Sequence, residues 1–221
     1  MPVASVPTAA LPQPRFEALW RRSFPAGAAR DAAAAFEQLQ VCYAEPHRLY
    51  HTPAHIGHCL GEFDIAADAM DDAAAVEMAL WFHDAVYDPR ASDNEARSAA
   101  LFSAWATRPA QSGFNEKVGD LILMTVHCEQ PRTTDQAFVV DIDLSSFALP
   151  WPAFQRDSVA VRREFGHLSD GDFYPKQISF LRSLLARPTL FFTPWFRGRC
   201  EAGARANIAR HIEDLRAHGV G

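Results

Sequence analysis

The chain has 221 residues, 48% of them hydrophobic and 22% charged, with a formal net charge of -6. That length suits one domain with a sizeable core, and the apolar share suits a globular chain rather than a disordered one. The acidic balance gives no electrostatic footprint for a nucleic-acid duplex, and no run approaches the roughly 18 to 20 apolar residues of a membrane span.

The opening segment, MPVASVPTAALPQPR, holds four prolines and lacks a basic start. It reads as a disordered proline-rich leader over residues 1–15 rather than a signal peptide, with a single compact domain over 16–221. Apolar residues then recur at helical spacing almost throughout, and no alternating β-branched run bounded by turns stands out. In chain order the spacing predicts helices over about 15–23, 30–44, 53–70, 73–87, 93–107, 114–128, 134–147, 152–165, 173–187 and 194–218, an all-α architecture. Thr52-Pro53 and Thr193-Pro194 each set a capping hydroxyl before a proline at the first helical position. Ser92 with Glu95 has the form of a capping box. Stops are marked by Pro89, Pro131, Pro150, Pro188 and Gly219. Cys42, Cys59, Cys128 and Cys200 form no C-x-x-C pair, which excludes a zinc ribbon or disulfide framework. They read as small buried hydrophobes, and free thiols fit a reducing cytoplasm.

Several of the nine histidines sit where helices begin or end. His51 precedes the Thr52 cap and His55 lies in the first turn after it. His83 and Asp84 close the apolar run MALWFHD, and His127 closes LILMTVH. Asp141 and Asp143 interrupt FVVDIDLSSF, whose other members are almost all apolar. An unpaired buried carboxylate costs several kcal/mol or more, so such residues are paired, hydrogen-bonded or on a metal. One cation shared by imidazoles and carboxylates from separate helices accounts for both runs. Mixed nitrogen and oxygen ligands suit Mn, Fe, Ni, Co or Zn better than Mg.

The ordered blocks EPHRLYHTPAHI, LWFHDAVYDP, DNEARSA, LILMTVH and VVDIDLSSF, with RREF and ARANIARHI after them, resemble a group of bacterial predicted phosphohydrolases of the HD superfamily. The resemblance covers roughly residues 43–210. It implies the HD-domain helical fold and the ligand pattern H…HD…D: His55, His83, Asp84 and a distal aspartate. In similar proteins that last ligand sits in a segment reading A-D-x-L, which aligns best with Ile142-Asp143-Leu144. Residues 141 and 143 project about 200° apart on a helix, so one of them reaches the metal. Asp143 is favoured, with Asp141 as its alternative or as a supporting or capping group.

YHTPAHI also resembles the YHNxxHA motif of cyclic-nucleotide phosphodiesterases, which implies His51 as a general acid beside the ligand His55. Asp88 matches the last acid of the HDxxED pattern of ppGpp hydrolases and becomes a second candidate proton shuttle, although Tyr87 stands where the preceding acid would be. Asp84, beside the implied metal, is the candidate to orient the attacking hydroxide. Arg48, Arg162, Arg163, Glu95 and His127 are candidates for substrate contact, while His47, His58, His167, His211 and His218 read as surface or satisfied histidines. The implied activity is metal-dependent hydrolysis of a phosphoester or phosphoanhydride in a small anionic substrate, by family analogy a nucleotide. Two alternatives stand beside it. One is an HD-type di-iron oxygenase with a second metal held with the help of His127 and His51. The other is a metal- or nucleotide-binding sensor without turnover.

Overall fold

A computed structural model of the protein describes residues 10–25, 27–106 and 109–217, with their side chains except those of residues 28–30. Among the described residues there are ten α-helices and no strand, as the spacing predicts. They are α1 (Gln13–Ser23), α2 (Ala28–Tyr43), α3 (Pro53–Ala66), α4 (Ala73–Phe82), α5 (Asn94–Trp105), α6 (Phe114–Met124), α7 (Thr134–Leu144), α8 (Trp151–Glu164), α9 (Asp170–Leu185) and α10 (Pro194–Ala217). Short 3-10 turns extend α3 (Ala67–Ala69) and α7 (Ser145–Ala148). No single described helix is long and apolar enough to cross a membrane.

Helix α4 is the axis of the molecule. Every residue from Ala75 to Phe82 is buried, and a helix that is apolar on all sides must be surrounded by others. It packs against α1, α3, α5, α6 and α7. Phe16 of α1 meets the Trp81 ring edge-on at 5.2 Å, and Phe102 of α5 meets Phe82 at 5.3 Å. Burying each of these large side chains contributes roughly 1.5–3 kcal/mol. The one charge inside α4, Glu77, accepts from Arg15 Nε at 2.7 Å and from Arg22 Nη2 at 2.8 Å. That pair ties the start of α1 to the core. Leu11 is already buried, α1 starts at Gln13, and Arg15 is held because the buried Glu77 carboxylate needs a counter-charge. Residues 1–9 lie outside the described residues.

Three expectations are corrected. Spacing predicts that the α4 helix continues to 87, but it ends at Phe82 with His83 as C-cap. Arg48 explains the stop: its guanidinium, with a fully buried side chain, donates to Asp84 O at 2.6 Å and Ala85 O at 2.9 Å. Carbonyls that another helical turn would have used are satisfied by this side chain instead. The Ser92–Glu95 capping box is absent; Asp93 is the N-cap of α5, without a side-chain cap bond. Asn94 instead turns back to bridge Asp88, accepting from its N–H at 3.0 Å and donating to its carbonyl at 2.9 Å. The Thr52 and Thr193 caps form as predicted, with Ala54 N–H at 3.3 Å and Phe196 N–H at 3.2 Å. The cysteines are free, but only Cys59 and Cys200 are buried, whereas Cys42 is half-buried and Cys128 exposed. The stop at Gly219 and the histidine at 218 lie outside the described residues.

Candidate metal centre

Three helices deliver one cluster. Pro53 at the first position of α3 and the Thr52 cap fix the turn that carries His55. The end of α4 carries His83, followed by Asp84, and α7 carries Asp143. The two Nε2 atoms of His55 and His83 are 3.3 Å apart. Asp84 Oδ2 lies 3.4 Å from His55 Nε2 and 3.1 Å from His83 Nε2. Asp143 Oδ1 lies 3.2 Å and 3.5 Å from the same two nitrogens. Ligand atoms bonded at about 2.1 Å to one ion are separated by about 3.0 Å at octahedral and about 3.4 Å at tetrahedral angles. The spacing of the cluster therefore fits a single cation.

The surroundings prepare these atoms for that use. His83 Nδ1–H donates to Leu80 O at 3.0 Å, which directs Nε2 at the cluster. Burial alone would raise the Asp84 and Asp143 carboxyls. For Asp84 the charges of His83 and His51 outweigh it; for Asp143 hydrogen bonds from His127, His55 and His83 do, so both lie below the ordinary range. Burial pushes His83 down, but Asp84 and Asp143 outweigh it and hold the imidazole well above its usual value. Two half-buried carboxylates thus need positive charge beside them, which imidazole protons or a divalent ion can supply.

The sequence missed one member of this group. Cys59, one helical turn after His55, places Sγ 3.7 Å from His55 Nε2. With His55, His83 and Asp143 it forms a set whose ligand atoms all lie within 4.8 Å of one another. Burial first, then Asp143 and Asp84, raise the thiol well above its usual value, so it stays neutral. Asp84 Oδ2 lies closer to His55 Nε2 than Cys59 Sγ does, at 3.4 Å against 3.7 Å, and is already ionised.

The cluster borders a cavity of about 480 Å³, within the range of small-molecule sites, about 300–1,000 Å³. His51, Glu95, His127 and Asp143 all line it. His51 Nδ1 lies 2.7 Å from Glu164 Oε2, and its ring stacks on Tyr87 at 4.0 Å. Burial would lower the His51 pKa, but Asp84 and Glu164 raise it above the ordinary value. Glu164 was also missed by sequence. It accepts from the backbone N–H of Leu49 (2.6 Å), Tyr50 (2.7 Å) and His51 (3.1 Å), and from the Tyr87 hydroxyl (3.0 Å). Burial opposes its ionisation, but the His51 partner and these N–H groups hold it at about 2. A signal existed: an acid in the last turn of a helix faces the negative end of the dipole and needs a partner.

His127 Nε2 lies 2.8 Å from Asp143 Oδ2, and its backbone adopts the left-handed φ of 59°. A non-glycine residue there is strained. Asp141 is not in the cluster. It accepts from Phe192 N–H (2.8 Å), Thr193 N–H (2.7 Å) and Thr193 Oγ1 (2.7 Å), and so caps the start of α10.

Three candidates point elsewhere. Arg48 is consumed by the backbone carbonyls and Glu45 and does not line the cavity. Arg162 is held by Asp170, Phe165 O and Leu168 O, with its guanidinium over the Phe173 ring. Asp88 lines a separate hollow with Arg90, Arg97 and Arg163, and its Oδ1 accepts from Arg90 N–H at 2.9 Å. Each of these side chains satisfies local backbone or ion-pair demands, which residue type and spacing do not reveal. Among the histidines read as satisfied, His58 is bonded to Ser145 Oγ at 2.8 Å and His47 to Tyr87 O at 2.8 Å. His211 differs, since it lines the cavity.

No model of a known family, no curated protein and no solved structure matches the chain.

Proposed function

We propose that the protein is a metal-dependent phosphohydrolase of the HD type acting on a small phosphorylated substrate, a nucleotide by the resemblance of its motifs. The observation that carries this reading is the meeting of His55, His83, Asp84 and Asp143 at 3.1–3.5 Å beside a cavity. A divalent transition metal of the Mn, Fe, Co, Ni or Zn type would be held by these four residues. When bound, the ion supplies Lewis acidity toward water and toward a phosphoryl oxygen.

The rest of the chemistry belongs to the chain. Glu164 fixes the His51 ring through Nδ1, so that the Nε2 side serves the cavity. A protonated His51 gives its Nε2 proton to the leaving oxygen, while Glu164 stays ionised and stabilises the imidazolium. The Tyr87 ring limits rotation of His51, and its hydroxyl holds the same Glu164 oxygen. Asp84 beside the ligand nitrogens accepts a hydrogen bond from the attacking water and orients it. His127 positions Asp143 through its second oxygen.

The test is phosphate release from nucleoside mono-, di- and triphosphates after chelator treatment and reloading with single metals. Turnover should return with one or more of the transition metals and stay absent in Asp84→Ala. Metal binding without phosphate release from any substrate would favour the sensor alternative. Two tightly held irons and oxygen consumption would favour the oxygenase.

A further inference from the structure

The same cavity is also walled by Phe147, Phe154, Phe165, Phe173, Phe180 and Leu181, from α8, α9 and the turns that flank α8. Among the described residues, seven buried side-chain polar atoms have no hydrogen-bond partner, and three of them line this one cavity. One is His127 Nδ1, next to the metal ligands; the other two, Gln177 Oε1 and His211 Nε2, are on α9 and α10. A buried orphan of this kind costs about 1–3 kcal/mol, and packed interiors rarely retain them without a reason. Two of them among these apolar walls, which Asp157, Ser158 and Lys176 also line, mark places where a ligand supplies the missing partners.

We propose that this cleft is a recognition subsite for a flat nitrogen heterocycle of nucleobase type, read by Gln177 and His211. The proposal deepens the phosphohydrolase reading and rests on it for the direction of the substrate. The aromatic walls offer faces and edges to a planar ring, the geometry that such side chains favour. The carboxamide oxygen of Gln177 accepts a hydrogen bond, so the ring must carry an N–H on its edge. Burial pushes His211 below its ordinary value, so its imidazole is neutral and Nε2 meets a single donor or acceptor on the ring. The Phe154 ring packs at 79° to His211 with centroids 5.5 Å apart, which holds the imidazole in place. An alkyl chain would fill the cleft but leave both polar atoms unsatisfied. With His51 and Asp143 lining the same cavity, the heterocycle and the phosphate share it.

The experiment uses chelator-treated protein and nucleosides, which carry no phosphate, so that it is independent of turnover. Calorimetric titration with adenosine, guanosine, cytidine and uridine is compared with phenyl phosphate and n-octyl phosphate. At least one nucleoside should bind more tightly than both comparators, and Gln177→Leu and His211→Phe should each weaken it roughly 10-fold or more. Because these substitutions remove unpartnered buried atoms, the ligand-free variants should melt at the parent temperature or above it. No nucleoside binding, binding unaffected by both variants, or octyl phosphate binding best would overturn the subsite. Lower melting of both variants would overturn it too, since the two side chains would then be structural. Phosphate release with a different substrate class would leave the metal-centre reading standing while this one falls.

Discussion

Replacing His51 and replacing His83 should do different things, because one side chain faces the cavity and the other belongs to the ligand cluster. His83→Ala or Asp84→Ala should abolish tight metal binding while circular dichroism stays helical. A variant that binds as tightly as the parent would remove its residue from the ligand set. His51→Ala should keep the metal and lose about 10²-fold or more in rate, as expected for a general acid; loss of metal in that variant would make His51 a ligand. Glu164 gives the pH prediction. Its folded pKa of about 2 lies below the ordinary 4.5, so its stabilising effect is fully present above pH 4.5 and is lost as pH falls toward 2. The contribution is on the order of 3 kcal/mol. Denaturant midpoints measured from pH 7 down to 2 should therefore fall less steeply for Glu164→Gln than for the parent. Parallel curves would mean that Glu164 titrates normally.

Within α7, two carboxylates two residues apart serve different elements. Asp143 reaches the imidazoles from α3 and α4, whereas Asp141 satisfies the first N–H groups of the α10 entry. Asp143→Asn is expected to lose detectable metal binding and activity. Asp141→Asn should retain metal affinity but lower stability by about 1–3 kcal/mol, the usual cost of leaving buried donors unmatched. Metal titration and chemical denaturation of both variants check this. If Asp141→Asn is instead the variant that excess metal cannot rescue, the assignment of α7 is reversed. Arg48 acts at the same scale: by taking the carbonyls of Asp84 and Ala85 it ends α4 where the two ligands are needed.

At the scale of the molecule, one ion would tie α3, α4 and α7 together around the buried α4 axis. Binding to the folded state alone stabilises it by mass action. The melting temperature should rise with added metal, saturate, and fall on chelation, with no response in Asp84→Ala. A parent protein whose melting is indifferent to both metal and chelator would have no structural cation at this place. Arg15 and Arg22 contribute at the same scale by neutralising Glu77 inside the axis helix. Their pairing joins α1 to α4 and leaves the ligand cluster untouched.

What the sequence determined by itself was set locally. Helical periodicity, proline at helix starts and the Thr52 and Thr193 caps announced nearly all the helices, because these features act within a few residues. The polar interruptions HD and DID in apolar runs marked candidate ligands for the same reason: a buried charge needs a partner wherever the chain takes it. Which partner it takes is a long-range question. Only the packing of α7 against α4 and α10 decided that Asp143 joins the histidines and Asp141 caps α10. Only packing placed Glu164, more than a hundred residues away in sequence, behind His51. Arg48, Arg162 and Asp88 were candidates by type and spacing, yet backbone carbonyls, carboxylates and N–H groups brought near by the fold claimed them first. Gln177 and His211 carried no sequence signal of a binding role, because an unpartnered atom is defined by what the tertiary structure fails to bring to it.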